Sequence, residues 1–163
     1  TGHLVLSTLH ANSANQALDR IINFFGEEKR EQVLMDLSLN LRAIISQRLI
    51  RQEGGGRVPA VEIMLNSPLI ADLIFKGEVV GIKEVMTRSS EQGMVTFDQY
   101  LFQLFEAGQI SYDEAIRNAD SQNELRLKVK LESRRMRENL LDDPAVKGLQ
   151  MKSEEEAGQL VRR

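Results

Sequence analysis

His10 is the residue best suited to chemistry in this chain. It ends the run His3-Leu4-Val5-Leu6-Ser7-Thr8-Leu9, so a histidine, a threonine and a serine cluster where a short apolar segment gives way to the polar stretch Ala11-Asn12-Ser13-Ala14-Asn15. The apolar run is rich in strand formers and predicts a buried strand over His3–Leu9. Ligands of open α/β sheets bind beyond the carboxyl ends of the strands. An imidazole there meets a phosphate or an acid, because it donates to anions and changes charge near neutral pH. His3 falls at the opposite end of the predicted strand and therefore shares no metal site with His10. A structural role or a subunit contact suits it better. The chain contains no cysteine, so thiolate metal sites and disulfides are excluded.

The elements that must position His10 follow from pattern. Asn12 or Ser13 is a helix N-cap, and Leu18, Ile21, Ile22 and Phe25 recur at helical spacing. A second helical stripe begins within residues 26–44 and runs through Val33, Leu34, Leu37, Leu41, Ile44 and Ile45. Glu27 and Glu28 lie near its start and Arg42 near its end, in agreement with the helix dipole. Ser46–Ile50 and Val58–Leu65 read as a strand pair joined through Gly54-Gly55-Gly56. Pro59 marks a strand start or an edge.

From Ser67 the signals become those of short helices. Ser67-Pro68 gives an N-cap with proline at the first helical position, and Gly77 a C-terminal stop. Ile82–Ser90 predicts a further short helix ending at Gly93. Thr96 to Gln99 and Ser111 to Glu114 read as capping boxes. Leu125, Leu127, Val129 and Leu131 alternate as in a strand, while Ser121 and Glu124 suit a helix start, so both readings stand. Residues 132–163 hold seven acidic and seven basic side chains and few large apolar ones. They predict a charged, flexible tail with one or two helical turns around 133–141.

Composition sets the frame. At 163 residues with 42% hydrophobic and 28% charged side chains, the chain fits one soluble domain, or one domain with a tail. A net charge of −3 argues against a dedicated nucleic-acid binder. No apolar run approaches the roughly 18 residues of a membrane span. Thr1 stands directly before the predicted strand, which reads as a fragment of a longer protein.

Three separated stretches resemble one family in order: TGHLVLSTLHANSANQALDRIINFF at the start, ISQRLI with GGRVPAVEIML at 45–65, and AIRNADSQNELRLKVKL at 115–131. They resemble the type IV pilus retraction ATPases, the PilT/PilU group of the secretion ATPases, nearer its PilU side. The resemblance covers roughly residues 1–131. It implies an α/β fold: the C-terminal part of a RecA-like ATPase core over 1–66, a small helical subdomain over 67–131, then the tail.

The resemblance also assigns residues. Thr1, Gly2, His3, Thr8 and His10 form the histidine box, with His10 linking the γ-phosphate or the catalytic acid to this half of the core. Arg20 and Arg57 are implied contacts to nucleotide or a neighbouring subunit. Arg20 sits beside Asp19 on a helix surface, and Arg48 and Arg57 flank the strand pair. Ala115, Ile116, Arg117, Asn118, Ala119, Asp120 and Ser121 resemble the retraction motif, which transmits motion rather than making bonds. The residues themselves support only a helix end there, with Asn118 or Asp120 capping the next segment. Glu62 is expected to be structural or surface-facing.

The family further implies ATP and Mg2+ in the intact protein, a homo-hexamer, a PilT-like motor partner and an inner-membrane pilus platform protein. It implies a cytoplasmic location, peripheral at the inner membrane, and no nucleic acid. The 163 residues contain no G-x-x-x-x-G-K-[ST] phosphate loop. This stretch alone is therefore expected to hydrolyse no ATP and to bind no nucleotide strongly. A different reading is a non-catalytic module that docks on a pilus or secretion motor. An independent small enzyme built on His3 and His10 is weaker, since no nucleophile or carboxylate constellation has useful spacing.

Overall fold

A computed structural model describes residues 2–137. Thr1 and residues 138–163, including most of the expected tail, lie outside the described residues. Chain contacts divide the protein into two compact units, Thr1–Asp120 and Ser121–Arg163.

The first unit is built on a hairpin and the helices around it. Helix α1 spans Ala14–Asn23, and Ser13 caps it by accepting from the Gln16 amide. Leu18 and Ile22 are buried on its inner face. Phe25 does not extend that face: the helix ends at Asn23 and Phe25 is 48% exposed. A 3-10 turn at Glu27–Lys29 leads into α2, Arg30–Asn40. Helix α2 stops before the predicted stripe does, because Leu41 turns extended and Ile44 and Ile45 enter strand β1. Adjacent β-branched residues suit a pleated strand, where one faces inward and the next outward. Ile45 is 70% exposed as a result.

Strands β1 (Ala43–Arg51) and β2 (Arg57–Leu65) pair antiparallel from Ala43↔Leu65 to Arg51↔Arg57. Both are longer than their sequence signals. An isolated bridge joins Ile63 to Val95 on the other side of β2. Helices α3 (Pro68–Lys76), α4 (Ile82–Arg88), α5 (Phe97–Glu106) and α6 (Tyr112–Asn118) complete the unit. Ser67 caps α3, Pro68 begins it, and Gly77 ends it in the left-handed conformation. Thr96 and Gln99 form a complete capping box on α5. At α6 the box is half made. Ser111 accepts from the Glu114 amide, while the Glu114 carboxylate turns to Arg117 and Asn118.

Leu18, Ile22, Leu34, Met64, Ile70, Ile74, Ile82 and Met86 belong to the main core cluster. Phe97, Leu101 and Phe105 are buried on α5 and Ile116 on α6, and these two helices contact each other.

The predicted strand over His3–Leu9 does not form. Residues 2–11 have no regular secondary structure, and Leu4, Val5 and Leu6 are 77%, 78% and 88% exposed. A strand exists through ladder bonds to a neighbour. Among the described residues the only ladder is the hairpin itself. Strand propensity without a partner leaves the backbone unpaired.

In the second unit, α7 spans Gln122–Glu132 and resolves the alternating segment as helix. Leu125 and Val129, four apart, are buried, whereas Leu127 and Leu131 are exposed. The interleaved Arg, Lys and Glu are strong helix formers. Ser133 then caps a helical turn over residues 134–137, accepting from the Met136 amide at 2.9 Å.

Candidate functional site

Two carboxylates on the hairpin side of the first unit organise the polar contacts. Glu62 points inward from β2 and is only 2% exposed. Its Oε1 accepts from the Ala14 amide at 2.8 Å. Ala14 opens α1, so the carboxylate satisfies a free N–H at the positive end of the helix. Burial pushes the Glu62 carboxyl above its ordinary value, and the Ala14 hydrogen bond offsets part of that rise. Of the two expectations for Glu62, structural or surface-facing, the structural one holds: it is buried and closes a helix end.

Asp120 is the second. Its Oδ1 lies 2.8 Å from Arg48 Nη1 and its Oδ2 2.5 Å from Lys83 Nζ. Burial alone would raise its pKa. The hydrogen bonds and charges of Lys83 and Arg48 outweigh burial and hold the carboxyl below its ordinary value. The Asp120 amide donates to Asp98 Oδ1 at 2.7 Å, anchoring the backbone as well.

Arg48 is the centre of this arrangement. From β1 its Nε and Nη2 donate to the Asn12 carbonyl at 3.2 and 3.0 Å. Its Nη1 donates to the Asn118 carbonyl at 3.1 Å as well as meeting Asp120. The guanidinium carbon lies 3.9 Å above the centre of the Phe97 ring. One side chain thereby holds the segment after His10, the end of α6 and the start of α5. The motif over 115–121 contributes Asn118 and Asp120 to this joint. Asp120 does not cap α7; its carboxylate is taken by Arg48 and Lys83. Asn118 Nδ2 folds back to the Glu114 carbonyl at 2.8 Å.

The other candidates lie apart. His3, Ser7, Thr8 and His10 are exposed on the irregular segment, so the two histidines are not separated by a strand and His10 does not end one. Arg20 and Asp19 are exposed on α1. Arg117 is exposed and pairs with Glu114 at 2.9 Å. Arg57 is exposed at the hairpin end, directly across from Arg51, a like-charge pair that weakens the strand ends. Among the described residues no group of three or more His, Cys, Asp or Glu converges on a point that would hold a metal. No described helix is long and apolar enough to cross a membrane. Arg48, Lys83 and Asp120 form an electrostatic joint between these segments.

Reading from sequence missed Arg48 as the centre of this joint, together with Lys83 and Asp98. The partners of Asp120 are far away along the chain, so no local spacing announces them. The one local hint is a charged residue, Arg48, at an otherwise half-apolar strand position.

A sequence model of the family described as Type II/IV secretion system protein matches residues 1–143. The chain is 51% identical over 163 residues to the type IV pilus ATPase PilU of Pseudomonas aeruginosa, which covers 99% of this chain and 43% of PilU. It is 41% identical over 115 residues to the type IV pilus retraction ATPase PilT of the same organism, covering 71% of this chain and 33% of PilT. Among solved structures it resembles the pilus retraction motor PilT with bound ADP, with a TM-score of 0.66 and 37% identity over 78% of this chain and 35% of that one. The chain therefore spans less than half the length of these relatives. It has an α/β fold and belongs to the Type II/IV secretion system protein family, where it corresponds to the C-terminal part of a PilT/PilU-type ATPase.

Proposed function

We propose that this chain is the C-terminal portion of a hexameric motor ATPase that drives type IV pilus retraction, and with it twitching motility. The observation behind this reading is the 51% identity to a type IV pilus ATPase along almost the whole chain. In this reading the protein works in the cytoplasm, peripheral at the inner membrane, beside a PilT-like motor and a pilus platform protein. ATP with Mg2+ is the substrate of the intact motor. The described residues themselves supply neither a phosphate loop nor a convergent carboxylate set, so the groups that hold the phosphates and the metal belong elsewhere in the intact protein.

What this portion supplies is geometry. His10, exposed on its segment, is read as the contact to an anion or a neighbouring subunit, and the resemblance groups it with Thr1, Gly2, His3 and Thr8 in one box. Arg20 and Arg57 are exposed cations suited to a phosphate or to a partner carboxylate. The Ala115–Ser121 motif, its Asp120 fixed to the strand pair, acts in transmission of motion. Ring assembly requires head-to-tail contacts between copies, and rotation of domains about a hinge is the corresponding motion.

ATP hydrolysis by the intact protein, with His10→Ala and Arg117→Ala beside the wild type, tests the reading. Loss of turnover with His10→Ala, and retained turnover with lost retraction in Arg117→Ala, is the expected result. An intact protein that neither binds nor hydrolyses ATP points instead to a docking module.

A further inference from the structure

We infer that Arg48 is a positioning residue that couples the segment following His10 to the turn at 118–120, so that the two move as one body. The reading of Arg48 as a transmission element rests on the proposed motor function, but the coupling itself stands on geometry. A guanidinium is a rigid planar fork with five donors. Asp120 fixes one arm at 2.8 Å, and that sets where the opposite edge of the same plane points. The opposite edge holds the Asn12 carbonyl through two hydrogen bonds. Phe97, fully buried, supports the flat face, so the plane has little room to tilt. Lys83 holds the other oxygen of Asp120 and Asp98 holds its amide. A shift of the 118–120 turn therefore has to move the guanidinium, and the guanidinium has to move Asn12. A lysine at this position has a point charge and no plane, so it reaches one partner without orienting toward the others.

The backbone around Asn12 provides a readout far from the perturbation. The Asn12 amide donates to Gln16 Oε1 at 2.6 Å and the Ala14 amide to Glu62. Amide hydrogen exchange is measured in the intact protein for wild type, Asp120→Asn, Arg48→Lys and the double variant. Asp120→Asn is expected to speed exchange at Asn12 and Ala14 by about fivefold or more, the lower end of ordinary coupling. In the Arg48→Lys background the same substitution is expected to add less than about twofold there, because the route is already broken. Exchange at Asn12 and Ala14 unmoved by Asp120→Asn, or moved equally in both backgrounds, overturns the coupling. Should Arg48→Lys fail to fold, Asp120→Asn alone still decides, since silence at Asn12 is fatal to the idea.

The motor arm measures ATP turnover and retraction of the Arg48→Lys protein. Turnover within about twofold of wild type with retraction reduced about tenfold or more is expected, and equal loss of both overturns the transmission role. A wild-type protein without ATP hydrolysis refutes the motor reading and the transmission role with it. The exchange experiment then still judges the coupling alone.

Discussion

The two stretches that resemble the pilus motors most visibly are held in opposite ways. Residues 2–11 place Leu4, Val5 and Leu6 in solvent and form no ladder. Residues 115–120 bury Ala115 and Ile116 and tie Asn118 and Asp120 to distant side chains. A motif's legibility is thus independent of how much its own chain does to hold it. Exposed apolar residues contribute little to stability until something covers them, whereas a satisfied polar joint already does.

That contrast can be broken or sharpened by substitution. Phe97→Ala should cost most, about 3–5 kcal/mol, because it empties a fully buried site and removes the support beneath Arg48. Chemical denaturation reads it directly. Arg48→Ala should cost about 1–3 kcal/mol, since the Asn12 and Asn118 carbonyls and Asp120 all lose a donor. A loss for Arg48→Ala no larger than that of an exposed control would remove the distinction drawn above.

Asp120→Asn and Glu62→Gln should show opposite pH dependences. The folded Asp120 carboxyl lies below its ordinary value of 3.8, so its stabilisation is complete above that range and is lost as pH falls through the folded value. The asparagine variant should be about 1–2 kcal/mol less stable at pH 7 and converge on wild type in acid. Glu62 lies above its ordinary 4.5, so its proton-linked contribution favours the fold below that pH and fades as pH rises through the folded value. Glu62→Gln keeps an oxygen for the Ala14 amide and carries no buried charge. It should match or exceed wild type at pH 7, with any advantage shrinking on acidification. Parallel pH curves for the two variants would contradict the assignment. The smallest effect is expected for Leu6→Lys, within about 0.5 kcal/mol, because that side chain is 88% exposed.

Local chemistry accounts for what the sequence made legible. Ser13, Ser67 with Pro68, Thr96 with Gln99, and Gly77 act on amides or dihedrals within a few residues, and each appears where its type indicated. The hairpin was equally visible, because the apolar runs and the glycines lie side by side. The errors came where a partner decides the outcome. His3–Leu9 has strand propensity but no neighbouring strand among the described residues, and the pair Ile44-Ile45 continues a helical count until the hairpin claims it. Asp120 looked like a cap because its true partners are on β1 and at the start of α4. Glu62 could be placed on a strand, but not recognised as the group that closes the N-terminus of α1.

The hairpin loop has a consequence of handedness. Gly54, Gly55 and Gly56 adopt φ of 88°, 104° and 83°, and a Cβ added to any of them meets nothing within 4 Å. Space is therefore not what reserves these positions for glycine; mirror symmetry is. An L-alanine would find room for its Cβ and strain the backbone, while a D-alanine takes positive φ without that strain. D-alanine would also narrow the wandering of the unfolded chain, so a semisynthetic protein carrying it at Gly55 should be the more stable one. Ordinary point mutation, confined to one chirality, has no access to that improvement.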